Sequence, residues 1–189
     1  AVGPKIGGEL QGRALMALAV SFLFTLVYLA FRFEWRFGVA AIIATLHDIL
    51  ITIGIISLFR IEVSLPTVAA VLTIVGYSLN DTIIVFDRVR ENLTQTGRRE
   101  PITDVLNRSI NETLPRTVMT SGTTVAALLS LFLLGGSIIR DFSLILIVGV
   151  LIGTYSSIMI AAPALLEIQE RWGERRTDGR KKEKARAAL

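Results

Sequence analysis

Apolar residues gather into five blocks along this chain, from about Ala14 to Phe31, Phe37 to Phe59, Pro66 to Phe86, Thr117 to Leu134 and Phe142 to Leu166. A helix rising 1.5 Å per residue needs about 20 such residues to cross about 30 Å of hydrocarbon, so each block predicts one spanning helix. A membrane barrel would instead show segments of about ten residues with alternating polarity, and these are not seen. The pattern therefore predicts an all-α, polytopic membrane protein with five transmembrane helices and its termini on opposite sides. Between the third and fourth blocks, residues 102, 105, 106, 110 and 114 fall on one helical face behind Pro101. That spacing predicts an amphipathic helix lying at the membrane surface, set off from the third span by a turn at Gly97.

Composition strengthens this reading. With 52% hydrophobic and 19% charged residues, the chain is too apolar and too blocky for a soluble domain of 189 residues. Charge placement gives an orientation. Of the 20 Lys and Arg, only Lys5, Arg13, Arg60 and Arg140 fall on one side of the predicted bundle. The others lie in the turn after the first span, in the segment 87–116 and in the tail 167–189. The positive-inside rule makes that side cytoplasmic and puts residues 1–13 outside. The basic tail is expected to fix topology and sit on anionic lipid, not to bind nucleic acid. No signal-peptide pattern precedes Arg13, and the outward start without methionine is expected of a part of a longer protein. The chain has no cysteine, which excludes disulfides and thiolate metal sites. With one histidine, it offers too few ligands for zinc, so no metal or other cofactor is expected.

Chemistry is sought where polar groups interrupt the blocks. A carboxylate in hydrocarbon costs about 2.5–3.5 kcal/mol on insertion scales and needs a partner, a wet route or a protonation role. Asp81, with Asn80 beside it, lies inside the third block, a turn and a half before the interface pair Asp87 and Arg88. Burial disfavours the charged form of a carboxyl, the condition for a group that binds and releases protons. In the second block His47 and Asp48 sit mid-span, with Thr45, Asp48 and Thr52 on one face. One reading makes them a proton relay; the other makes them a helix-to-helix hydrogen-bond cluster, and the sequence weighs them equally. The fourth block opens with Arg116, Thr117, Thr120, Ser121, Thr123 and Thr124. Its hydroxyls suit close packing or a narrow wet path, and Arg116 either snorkels to lipid phosphate or is the countercharge of Asp81. In the fifth block Gly149-x-x-x-Gly153 predicts a close helix contact. No nucleophile-base set, paired-His motif or phosphate-binding glycine loop is present, so an enzyme is not expected.

Four stretches together resemble the SecF half of the SecD/SecF protein-export membrane proteins, a branch of the resistance-nodulation-division transporters. They are Val2-Gly3-Pro4-Lys5-Ile6-Gly7-Gly8-Glu9-Leu10, Leu46-His47-Asp48, the run from Gly76 to Asn92, and Leu114-Pro115-Arg116-Thr117-Val118-Met119-Thr120-Ser121. The likeness extends from Val2 to about Leu166. It implies a subunit of the bacterial or archaeal cytoplasmic membrane that uses the proton motive force to help polypeptides leave the Sec channel. It associates Asp81 and Arg116 with proton passage, with Asn80 beside them; it gives His47 and Asp48 no defined role. The partners it implies are the SecD half or subunit, the Sec translocation channel, the translocating polypeptide, protons and membrane lipids. A family member of this kind carries a further span and a periplasmic domain before the Val-Gly-Pro motif. The expectation that follows has Asp81 cycling between protonated and ionised forms, with Arg116, Thr120 and Ser121 as its exit. The rival expectation is a structural scaffold holding accessory subunits to the channel.

Overall fold

The computed structural model describes residues 4–96 and 100–171. Residues 1–3, the turn expected at Gly97 and the basic tail beyond Arg171 lie outside the described residues. Five helices follow one another: α1 (Pro4–Arg32), α2 (Trp35–Leu58), α3 (Leu65–Thr96), α4 (Ile102–Leu134) and α5 (Ser137–Ser156). The last continues through a π-helical turn, Ser157–Ala161, and on as helix to Arg171. Among the described residues there is no strand.

Four of these helices are long and apolar enough to cross a membrane: Trp35–Leu58, Leu65–Thr96, Ile102–Leu134 and Ser137–Arg171. Within α1 the apolar stretch is shorter, Leu15–Leu29. The boundaries have local causes. Arg60, at φ 52°, is the left-handed residue that ends α2, with Ile61 N–H reaching back to Ile56 O at 3.0 Å. The side chain of Ser64 accepts from Thr67 N–H at the start of α3, at 3.4 Å. At the α4 to α5 corner a Cβ on Gly135 would collide with Leu131 O, so only glycine lets the chain turn there. The π turn lies just before Pro163; a proline ring clashes with the carbonyl four residues earlier, here Met159, and a wider turn relieves this.

One expectation is corrected. Residues 102–114 are helical, but they form the first turns of α4 and not a separate surface helix. The reason is that their inner face finds protein. Val105 and Leu106 are buried, and Ile102 and Ile110 pack on the same cluster as Val89 and Leu93 of α3. Asn92 donates to Ser109 at 2.9 Å and Arg88 to Glu112 at 2.6 Å, joining the two polar extensions. The helix runs on through Pro115 without a break.

The centre of the bundle is α3, which touches each of the other helices. Phe86 is fully buried edge-on against Phe33 and Phe37, with ring centroids 6.4 and 5.5 Å away. The hydrophobic effect gives little drive for helices to associate in lipid, so packing of small residues and polar contacts must supply it. On α5, Gly149 and Gly153 supply the close approach. A Cβ on Gly149 would overlap the side chain of Ile74, and one on Gly153 would come within 3.0 Å of Ser78 Cβ. By contrast α4 is the least buried of the long apolar helices.

Candidate functional site

Successive residues on a helix diverge by about 100°, so Asn80 and Asp81 cannot share a face of α3. Ser78, Asp81 and Thr82 point inward and are buried, whereas Asn80 is exposed. Asp81 is 0% exposed. Its Oδ2 accepts from Ser121 of α4 at 3.4 Å, and Ser121 Oγ lies 2.6 Å from Thr154 Oγ1 of α5. Tyr77 extends the cluster, its phenol oxygen lying within hydrogen-bond reach of Ser121 Oγ at 3.5 Å and Thr124 Oγ1 at 3.4 Å, one of which takes its proton. The other carboxyl oxygen, Oδ1, has no hydrogen-bond partner, and neither has the buried hydroxyl of Thr117.

Arg116 is exposed and forms no ion pair with Asp81; its charge acts on that carboxyl only from a distance. It lines an open pocket of about 370 Å³ together with Ile84, Asp87, Arg88, Glu91, Glu112 and Thr113. Most charges there are engaged with one another: Arg88 contacts both Glu91, at 2.7 Å, and Glu112, and Asp87 pairs with Arg32 at 2.5 Å. Thr120 is also exposed, and its hydroxyl bonds back to Arg116 O and Thr117 O, both at 3.0 Å. Of the residues that the sequence proposes for this site, the fold brings Asp81 and Ser121 together. It sets Asn80, Arg116 and Thr120 apart from them.

A second buried carboxyl lies one turn away. Asp48 of α2 is 0% exposed, and its Oδ2 accepts a short hydrogen bond from Ser78 of α3. Its Oδ1 lies 2.9 Å from Nδ1 of the half-buried His47. Thr45 and Thr52, on the same buried face, bond to carbonyls of their own helix. Asp48 is thus a fully partnered link between α2 and α3, and Ser78, held between it and Gly153, carries that link to within three residues of Asp81. Among the described residues, no three His, Asp or Glu side chains gather as metal ligands would.

Sequence reasoning did not single out Thr154 or Ser78 as part of the site. The signal for Thr154 was weak: a hydroxyl directly after the packing glycine of an apolar block. Ser78 was legible only as a neighbour of Asp81 on the same side of α3.

Long apolar helices enclosing two buried carboxyls define a multi-pass helical membrane protein. The chain belongs to the family described as protein export membrane protein SecD/SecF, C-terminal, which matches residues 1–171. It is 57% identical over 172 residues to protein translocase subunit SecF of Gemmatimonas aurantiaca, covering 91% of this chain and 52% of that protein. It is 52% identical over 170 residues to protein translocase subunit SecDF of Thermus thermophilus, covering 90% of this chain and 23% of that one. The crystal structure of SecDF from Thermus thermophilus superposes with a TM-score of 0.83 at 51% identity, covering 89% of this chain and 23% of that chain. The chain thus spans about half the length of the SecF protein it matches.

Proposed function

We propose that this chain is the membrane part of a SecF-type subunit of the Sec protein-export machinery, in which Asp81 takes up and releases the protons that drive assistance to translocation. The observation that carries the reading is Asp81 itself, fully buried with one oxygen on Ser121 and the other without a partner. A permanently ionised carboxylate so placed would be unstable; a carboxyl that alternates between neutral and charged forms has a use for incomplete solvation. Ionisation strengthens the pull on Ser121, and through it on Thr154, tightening α3, α4 and α5 about the site. Protonation relaxes that pull, and the packing change reaches the SecD half and then the translocating polypeptide. Arg116, Thr120 and Ser121 form the exit on the cytoplasmic side, and Asn80, exposed on α3, neighbours the site. His47 and Asp48 are the weaker members of the pathway.

In this arrangement α1 is the fifth span, its 29 residues being long enough although its most apolar part is short. The segment 14–166 forms the bundle, in the cytoplasmic membrane of a bacterium or archaeon. Segment 87–116 and tail 167–189 lie on the cytoplasmic side, the tail on anionic lipid; residues 1–13 lie outside, and the Sec channel is the neighbour.

A scaffold reading is favoured by one observation, the complete partnering of Asp48 by Ser78 and His47, which suits a fixed cross-link. Infrared titration of the full-length protein in lipid, with an Asp81→Asn variant identifying the band, separates the two. A carboxyl band at position 81 that changes between about pH 5 and 9 supports proton coupling. A band that never changes supports the scaffold.

A further inference from the structure

The Ser and Thr side chains of α4 beyond its first turn divide into two groups. Ser109, Thr113, Thr120, Thr123, Thr124 and Ser130 each donate to a carbonyl of their own helix. Ser121 and Thr117 do not. Ser121 is engaged by Asp81 and Thr154, while Thr117, only 1% exposed, has no partner for its hydroxyl. The second orphan of this region is Asp81 Oδ1. Buried polar atoms are rarely left unpaired, so two on facing helices call for one explanation.

Their positions supply it. Contacts between α3 and α4 run antiparallel, from Asp81 with Ser121 to Arg88 with Glu112. That register sets Thr117 opposite the turn of α3 that follows Asp81, near Ile84. Thr113, Thr117 and Ser121 recur every four residues on one face of α4, each about 6 Å beyond the last. Thr113 and Ile84 already line the open polar pocket, and Ser121 already touches Asp81. Thr117 is the step between them.

We propose that a water molecule bridges Asp81 Oδ1 and Thr117 Oγ1, making Thr117 the positioning residue that links the buried carboxyl to the polar pocket. The water donates to the carboxylate oxygen and exchanges a second hydrogen bond with the hydroxyl, satisfying both orphans. A proton leaving Asp81 passes to this water, which gives one of its own to water in the pocket, so the bridge ends unchanged. This rests on the reading of Asp81 as a proton site, and it replaces Thr120 by Thr117 as the exit hydroxyl.

The test is hydrogen-deuterium exchange at the Asp81 carboxyl, followed by its infrared band after transfer of the full-length protein in lipid nanodiscs to D2O. Thr117→Val keeps the shape and removes the hydroxyl; it slows exchange about tenfold or more while Asp81 still titrates, and Thr117→Ser exchanges like the parent. Exchange in Thr117→Val as fast as in the parent overturns the bridge and leaves Asp81 as a proton site. An Asp81 band that does not respond to pH overturns both. Because the chain contains no cysteine, Thr117→Cys gives a second measurement if the valine variant fails to fold. Its thiol reacts with silver ion at a rate close to that of Thr113→Cys; a thiol as inert as Leu128→Cys overturns the proposal.

Discussion

Ser78 of α3 is held by Asp48 of α2 on one side and by Gly153 of α5 on the other, three residues before Asp81. The contact makes the placement of Asp81 depend on α2, which bears on it only through Ser78, as well as on α5, whose Thr154 borders the site directly. Removing the Asp48 side chain leaves Ser78 and His47 without their partner and opens a void. Asp48→Ala is expected to destabilise the protein by about 1–3 kcal/mol, the penalty for an orphaned buried group. Asp48→Asn keeps shape and hydrogen bonding and costs less than about 1 kcal/mol, close to the average measured between membrane helices. Unfolding midpoints in mixed detergent, read by helical circular dichroism, check the order; equal losses contradict the cross-link.

Gly149 illustrates a different kind of constraint. A methyl group there meets the side chain of Ile74, which is 1% exposed and has no room to withdraw. Gly149→Ala should therefore cost about 1–3 kcal/mol by overpacking. In an Ile74→Ala background the same change should cost much less, because the colliding atoms are gone. A double-mutant cycle on thermal unfolding measures this coupling, and additive effects contradict the close contact.

The polar extensions of α3 and α4 allow two nearby interactions to be ranked. Asn92 is 2% exposed and donates to Ser109 and to Glu112, at 2.9 and 2.8 Å. Arg88 contacts Glu112 and Glu91 with about a third of its side chain exposed to solvent. Water and salt screen the second interaction but not the first. Asn92→Ala is expected to cost about 1–3 kcal/mol, and Arg88→Ala clearly less, its ion pairs being open to solvent. Raising the salt concentration should shrink the Arg88 effect and leave the Asn92 effect in place; the reverse order of losses contradicts this ranking.

Four of the five apolar blocks fall in helices long and apolar enough to span, because a span needs a fixed length of hydrocarbon-compatible chain and little else; the first falls in α1, whose apolar stretch is only Leu15–Leu29. What they could not reveal was where protein replaces lipid as the neighbour. Residues 102–114 carry an amphipathic face that suits a membrane surface or another helix equally, and only the fold shows Val89 and Leu93 of α3 beside it. The same limit applies to the site. Asp81 was conspicuous as a carboxylate in an apolar run, and Ser121 lay on the helix expected to face it. Arg116 and Thr120 are as close to Ser121 in sequence, but they occupy other faces of α4 and are exposed. Thr154 supplies the third side of the site from α5, a pairing across 33 residues that no local pattern encodes.

Asp81→Asn is the most direct test, because it keeps the size of the side chain and a hydrogen-bond acceptor for Ser121 while removing titration. The full-length protein carrying it, reconstituted with the SecD half and the Sec channel in proteoliposomes, is compared with the parent for proton flux and for export driven by an imposed proton gradient. The expected result is normal assembly with loss of both proton flux and gradient-stimulated export. Flux and stimulated export equal to the parent would contradict a proton-carrying role for Asp81.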